Sequence, residues 1–348
     1  MPDFGTFIIV DPDVARSLSG VKVEGKWEVT TRPDPSWRFK VTRDRHGRSE
    51  TTKPTPLRDD EELCHELIVS CADSDVADAV RSLVHAGVLL TYPDLLNAPI
   101  TPGAYNLGAF SDERLREPTL SSWFQFYREG GFGILIASRA YGDAALTYAL
   151  EKYRLSIELD SFTPHSASPI YGQVFPEAYP DTRYHTKAAY AIVTAYSVIE
   201  ELGLEVRSSP QKPIYLASDE WNPDVRDDVL DRLTRIGADP DELFTWVRRG
   251  SETPLDRDQP IRGTATEYYD GTVVRDVNAR IEDALQRARY LRNFIMAHKF
   301  KDLTSWVSPY EVFNVQSLSR RLLLIRLGIW ELLIDTANLD WDAVLGSA

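Results

Sequence analysis

Three long stretches in the second half of the chain space their apolar residues for helices, and they constrain the fold more than any other feature. Tyr184 to Leu204 puts Ala188, Ile192, Ala195, Ile199 and Leu202 on one stripe, because residues three and four apart share a helix face. Asp276 to about His298 is long and amphipathic. Pro309 opens a further run through about Thr336, with Val312, Leu318, Leu322, Leu323, Ile325 and Ile329 turned inward. Ala144 to Leu159 repeats the pattern with Leu146, Leu150, Tyr153 and Ile157. Pro223 to Ile236 and Pro240 to Arg248 read as shorter helices, each opened by a proline at the first helical position. Residues 250–272 read as a polar loop. Together these stretches predict an all-α domain over residues 141–348.

Residues 1–140 follow another pattern. Phe7-Ile8-Ile9-Val10, Val21 to Val29 and Trp37 to Val41 read as short strands, punctuated by Pro33, Pro35, Pro54 and Pro56. Asp73 to Ala86 has helical spacing through Val76, Val80, Leu83 and Val84. Gly87 is expected to end that helix, and Val88-Leu89-Leu90 to begin a strand. Residues 91–140 look loop-rich, with an aromatic cluster at Trp123 to Tyr127 and an apolar run at Ile134 to Ala137. The expected fold class is therefore α+β, a β-containing N-terminal domain followed by the all-α domain. A length of 348 residues suits two domains, and 43% hydrophobic residues suffice for their cores.

The net charge of −14 argues against nonspecific coating of nucleic acid. Its distribution is uneven. From Arg287 to Arg326 eight Lys or Arg face only Asp302 and Glu311, a local +6 that suggests an anion site. From Lys22 to Arg58 ten basic residues face five acidic ones. With Trp27 and Trp37 interleaved, that segment is either a solvated loop or a surface for charge and stacking contacts with nucleic acid. No run of 18 apolar residues occurs, so no membrane span is expected. The acidic Met1-Pro2-Asp3-Phe4 start and only two cysteines, Cys64 and Cys71, lead to the expectation of a cytoplasmic protein with free thiols.

Several familiar chemistries lack their motifs. There is no Walker loop, no dinucleotide fingerprint and no Gly-x-Ser-x-Gly elbow. Gly130-Gly131-Phe132-Gly133 reads as a turn. Cys64, His65, Cys71 and His85 fit no structural zinc spacing, so neither metal nor other cofactor is expected. His298 stands out among the six histidines because Arg292 and Asn293 precede it at the end of an amphipathic helix in the basic region. A histidine near neutral pKa moves protons. An arginine fork holds a phosphodiester and stabilises charge as it develops. That pair is the minimum for cleaving RNA without metal, since the ribose 2′-hydroxyl is the nucleophile.

The stretch Arg292-Asn293 to Ala297-His298 resembles the catalytic signature of the HEPN superfamily (higher eukaryote and prokaryote nucleotide-binding). The earlier helix, with Ala195-Tyr196-Ser197-Val198-Ile199-Glu200-Glu201, and the long helix that follows the signature suit that family, and the resemblance covers about residues 141–348. It implies a helical domain that often dimerises, with two Arg–His pairs meeting at one composite site. Many such proteins are metal-independent RNases of toxin–antitoxin, CRISPR-associated or abortive-infection systems, and others only bind. By that resemblance Arg292 binds the scissile phosphate, Asn293 orients it and His298 is general base or acid. Arg289, Lys299 and Glu200 support substrate binding. The implied partners are RNA, a second copy of the chain and a possible protein of a defence or toxin–antitoxin system. The alternative is a non-catalytic HEPN-like subunit that binds RNA or protein within a defence complex, and a third reading makes the N-terminal domain a sensor whose ligand switches the helical domain. Five residues separate Arg292 from His298, where four is the commonest spacing. On an ideal helix the two side chains diverge by about 120°, so the helix must end or bulge near Ala297, or a partner chain must complete the site. The family's glutamate-then-lysine pattern is incomplete, since no lysine lies four residues after Glu200 or Glu201.

Overall fold

The structure, a computed structural model, describes residues 1–10, 15–16, 18–33, 40–43, 49–52, 62–63, 65–91, 105–106, 128–160, 182–249, 252–265, 274–296, 303 and 306–334. The protein mixes helix with antiparallel sheet, as expected for an α+β chain. It divides into two compact units, residues 1–147 with 332–348, and residues 148–331.

In the first unit β1 (Asp3–Val10), β2 (Lys22–Val23), β3 (Trp27–Pro33), β7 (His65–Cys71) and β8 (Tyr105–Asn106) form an antiparallel sheet in the order β2-β3-β7-β1-β8. A separate three-stranded sheet is made by β4 (Lys40–Arg43), β5 (Ser49–Thr52) and β6 (Glu62–Leu63). The basic N-terminal segment is thus partly strand. Trp27 does not serve as an exposed stacking platform. It is 1% exposed and meets Tyr141 edge-on at 5.9 Å. Trp37 lies outside the described residues.

Two expectations for this unit fail for one reason. Helix α1 (Ser74–Thr91) runs through Gly87, and Val88-Leu89-Leu90 extend it rather than start a strand. Gly130 to Gly133 is not a turn but lies in helix α2 (Arg128–Ala140). The two helices pack where these glycines meet. A Cβ on Gly133 would lie 2.7 Å from the Val84 carbonyl oxygen, and one on Gly87 would lie 3.0 Å from the Gly133 Cα. The glycines permit close approach of two backbones, which local reading mistakes for helix termination. Every residue from His85 to Thr91 is buried, so this half of α1 carries no amphipathic signal.

The second unit is not all-α. It contains most of helix α3 (Ala144–Leu159), then α4 (Thr182–Glu201), α5 (Pro223–Arg235), α6 (Pro254–Asp258), α7 (Ile281–Met296) and α8 (Pro309–Arg326). A short helix α9 (Trp330–Ile334) follows. It also contains an antiparallel sheet of β9 (Leu243–Arg249), β10 (Thr264–Ala265) and β11 (Val274–Arg280), in the order β10-β11-β9. The helix expected over Pro240 to Arg248 is not formed: Leu243 to Arg249 instead pair along their whole length with β11. Phe244 and Trp246 face the core and Thr245 faces out, the two-residue period of a strand. Val277 and Ala279 match them from β11. The helix expected from Asp276 therefore starts at Ile281.

The outer edge of β9 is closed by α8. Asn314 accepts a hydrogen bond from the Val247 N–H at 2.8 Å and donates to the Val247 carbonyl, while Arg321 donates to the Leu243 carbonyl at 2.8 Å. Side chains thus replace a missing neighbour strand. Gln316 donates to Ser156 and Asp160 at the end of α3, and Ser319 donates to the Ala195 carbonyl of α4. These buried polar contacts surround α8, which ends at Arg326 rather than near Thr336. Gly328 then adopts φ 65°, a left-handed turn that suits glycine.

Candidate functional site

Helices α4 and α7 pack through Ala188, Ile192, Ala195 and Ile199 against Ala284, Leu285, Ala288 and Leu291, all fully buried. At one edge of that packing the helices carry charge. Arg292 Nη2 lies 3.3 Å from Glu200 Oε1, and Arg292 Nη1 donates to Asn293 Oδ1 at 3.0 Å. Arg289, one turn earlier, donates to Ser208 Oγ at 3.2 Å. Beneath them Tyr196 is buried. Burial first, and then the Glu200 carboxylate, push its hydroxyl pKa up, while Arg289 and Arg292 pull it down. Gly203, with φ 68°, turns the chain after α4, and Arg232 of α5 holds that turn by donating to the carbonyls of Gly203 and Glu205.

Four of the six residues singled out in the sequence, Arg289, Arg292, Asn293 and Glu200, thus come from two neighbouring helices and lie in one partly exposed cluster. His298 and Lys299 lie outside the described residues. Helix α7 spans Ile281–Met296, so Arg292 and Asn293 occupy its last two turns. Arg292 and Glu200 have 39% and 35% exposed side chains. An ion pair that accessible contributes only about 0.2–1 kcal/mol and exchanges readily for another anion. Glu201 points to a different task, since it pairs with Lys152 of α3. The lysine absent from the sequence pattern after these glutamates is thus supplied, for Glu201, by a different helix.

The +6 segment does not act as one surface. Arg287 is 2% exposed and donates to the carbonyls of Leu255 and Gln259 and to Asp256 Oδ1. Arg321 is also buried, beside Glu242, with its guanidinium 5.1 Å from the centre of the Trp330 ring. Burial has taken these two charges into the fold. Of the cysteine and histidine candidates, Cys64 lies outside the described residues, and Cys71 is buried with its thiol pKa raised by desolvation. Among the described residues no three His, Cys, Asp or Glu gather as a metal site would require, and no helix is long and apolar enough to cross a membrane.

A second site in this unit was not foreseen. A cleft of about 520 Å³ is lined by Trp221, Arg226, Arg262, Arg280, Glu282 and Asp283, with Glu220 and Asp227 at its rim. It lies at the first turns of α5 and α7. Asn222 caps α5 by accepting from the Asp224 N–H, and Pro223 follows at the first helical position. Glu282 and Asp283 occupy the first turn of α7, where the helix dipole favours acids. The Asn-Pro start and this Glu-Asp pair were local signals. The meeting of Arg226 with Glu282, 56 positions apart, and of Trp221 with Asp283, 62 apart, had none. No family model matches this chain, and neither a curated protein nor a solved structure matches it.

Proposed function

We propose that the protein is a metal-independent endoribonuclease of a defence or toxin-like system that cleaves RNA with Arg292 and His298. The observation that carries this reading is the partly exposed Arg292–Asn293–Glu200 cluster, with Arg289 one turn away. Its arginines offer planar forks for a phosphodiester, and the weak Glu200 pair yields to a more highly charged ligand. Asn293 keeps the Arg292 guanidinium oriented. His298 takes the proton from the ribose 2′-hydroxyl as that oxygen attacks phosphorus. The bond from phosphorus to the 5′-oxygen breaks, and an imidazolium returns a proton to the leaving oxygen. In a homodimer the second histidine is the acid. The products carry 2′,3′-cyclic phosphate and 5′-hydroxyl ends, and no cofactor takes part. A second reading, a non-catalytic HEPN-like protein that binds RNA or a protein partner, is favoured by the fact that Glu200 and Asn293 already occupy Arg292.

The test is a labelled RNA incubated with the full chain in EDTA, with product ends mapped. His298→Ala is expected to slow cleavage by about a hundred- to ten-thousand-fold and to leave RNA affinity nearly unchanged. Arg292→Lys is expected to rescue poorly, because an ammonium lacks the bidentate fork. Cleavage that persists in His298→Ala, or that requires a divalent ion, overturns the mechanism. RNA binding without cleavage selects the second reading.

A further inference from the structure

The cleft at the start of α5 and α7 holds an unusual carboxylate. The Glu282 side chain is fully buried, yet it lines the cleft. Its Oε1 accepts from Arg226 Nε at 3.1 Å and from Arg226 Nη2 at 2.9 Å, which fills that oxygen. Its Oε2 has no hydrogen-bond partner. A buried acceptor left unpaired is costly, and a donor bound from the cleft would remove that cost. The other charged groups of the wall differ. Arg262 donates to Asp219 and stacks 4.0 Å over the Tyr215 ring, and Asp283 accepts from the Trp221 indole at 2.8 Å. Arg280 is 51% exposed, and its one ionic neighbour among the described residues is Glu282, at 4.0 Å. A buried, unpartnered acceptor and a half-exposed cation thus stand side by side in the wall of the cleft.

We propose that this cleft binds a small zwitterion of the α-amino acid class, with its ammonium group at Glu282 and its carboxylate on Arg280. A simple anion would satisfy Arg280 but leave the Glu282 oxygen unpaired and face the acidic rim of Glu220 and Asp227. A simple cation would leave Arg280 unmatched. The ammonium and carboxylate of an α-amino acid are joined through one carbon, so both ends reach groups as close together as Arg280 and Glu282. A nucleotide holds its base donors and its phosphate apart across a sugar and does not fit that spacing. The volume of about 520 Å³ lies within the usual range for small-molecule sites and leaves room for a ligand side chain beside Trp221. Burial and the adjacent Glu282 charge both push the Asp283 pKa up, a strain that a bound ammonium relieves. Glu282 is ten residues before Arg292, roughly 15 Å along the helix axis, so this site is separate from the proposed RNase face and does not depend on it.

The experiment uses the full chain and the twenty L-amino acids, added singly, with thermal unfolding and titration calorimetry as readouts. N-acetyl derivatives and inorganic phosphate are the controls. At least one free amino acid is expected to raise Tm, while its N-acetyl form, which has lost the ammonium, does not. Arg280→Ala, an exposed change that leaves the fold intact by circular dichroism, is expected to weaken that ligand by about tenfold or more. Glu282→Gln is expected to abolish binding. Because it also disturbs Arg226, the N-acetyl and Arg280→Ala arms carry the test if that variant unfolds. Absence of binding by every free amino acid, or equal binding by the N-acetyl form, overturns the proposal. So does phosphate binding that Arg280→Ala removes in a protein indifferent to amino acids, which shows an anion site only.

Discussion

Arg287 and Arg292 lie five positions apart on one helix, and the regions around them are opposites. Five residues turn a helix by about 140° from face to face. Arg287 therefore points into the unit, where it binds the Leu255 and Gln259 carbonyls and Asp256 and lies close enough to the Glu311 carboxylate to affect it. Asp256 and Glu311 each complete a capping box, with Thr253 and Ser308 respectively. One buried guanidinium thus serves two helix starts. Arg292 points to the accessible edge and holds one weak pair. The same residue type in the same basic stretch is structural where it is desolvated and available where it is not.

The largest effect is expected at Arg287. Arg287→Ala leaves two buried carboxylates without their cation and is expected to cost about 3–5 kcal/mol. Urea unfolding followed by circular dichroism measures it, and a loss below about 1 kcal/mol would remove the distinction between the two arginines. The next largest effect concerns the edge of β9. Asn314→Ala strands the Val247 N–H and carbonyl and is expected to cost about 1–3 kcal/mol by the same measurement. A volume-matched Asn314→Leu is expected to do no better, because the backbone groups and not the space are at stake.

A smaller effect is expected in the pH dependence of stability. Burial raises the Glu311 pKa above its ordinary 4.5, against the opposing pull of the Ser308 hydrogen bonds and Arg287. The native state therefore holds that proton more tightly than the unfolded chain. Its contribution to stability is full below 4.5 and is lost as pH rises through the raised value. Glu311→Gln is expected to flatten this part of the curve, and unfolding free energies across that range, wild type against variant, check it. An unchanged slope would assign the dependence elsewhere, with Asp283, also raised by burial, as the next group to substitute. The smallest effect is at Arg292. Arg292→Ala is expected to change stability by less than about 1 kcal/mol while it weakens RNA binding and cleavage, a split that sharpens the contrast with Arg287.

The helices of the second unit were legible where signals are local. Ala144 to Leu159 and Pro223 onward matched α3 and α5 to within a residue, because apolar spacing, a side-chain cap and a first-turn proline all act within a few positions. Pro240 misled because a proline can precede a strand as readily as it opens a helix. The β-rich composition of Leu243-Phe244-Thr245-Trp246-Val247 was the signal that outweighed it, and pairing with β11 settled the outcome. Gly87 and Gly133 misled because a glycine that admits another backbone reads the same as one that ends a helix. In the candidate site, Arg289, Arg292, Asn293 and Glu200 were singled out from a motif and a helix pattern, and α4 and α7 do bring them together. The Glu282 cleft had no comparable motif.

The amino-acid sequence by itself determined the mixed helix and sheet, the helix starts marked by proline and cap, and which charged residues stand near Arg292 along the chain. Each follows from interactions over a few residues, where spacing equals geometry. Only the tertiary structure decided that Leu243–Arg249 is a strand, that Arg287 and Arg321 are withdrawn from the surface, and that Arg280 and Glu282 border a cleft with Arg226 and Trp221. Those outcomes depend on pairing and desolvation between segments distant in sequence, and the free energy of a buried charge is set by what surrounds it and not by its neighbours in the chain.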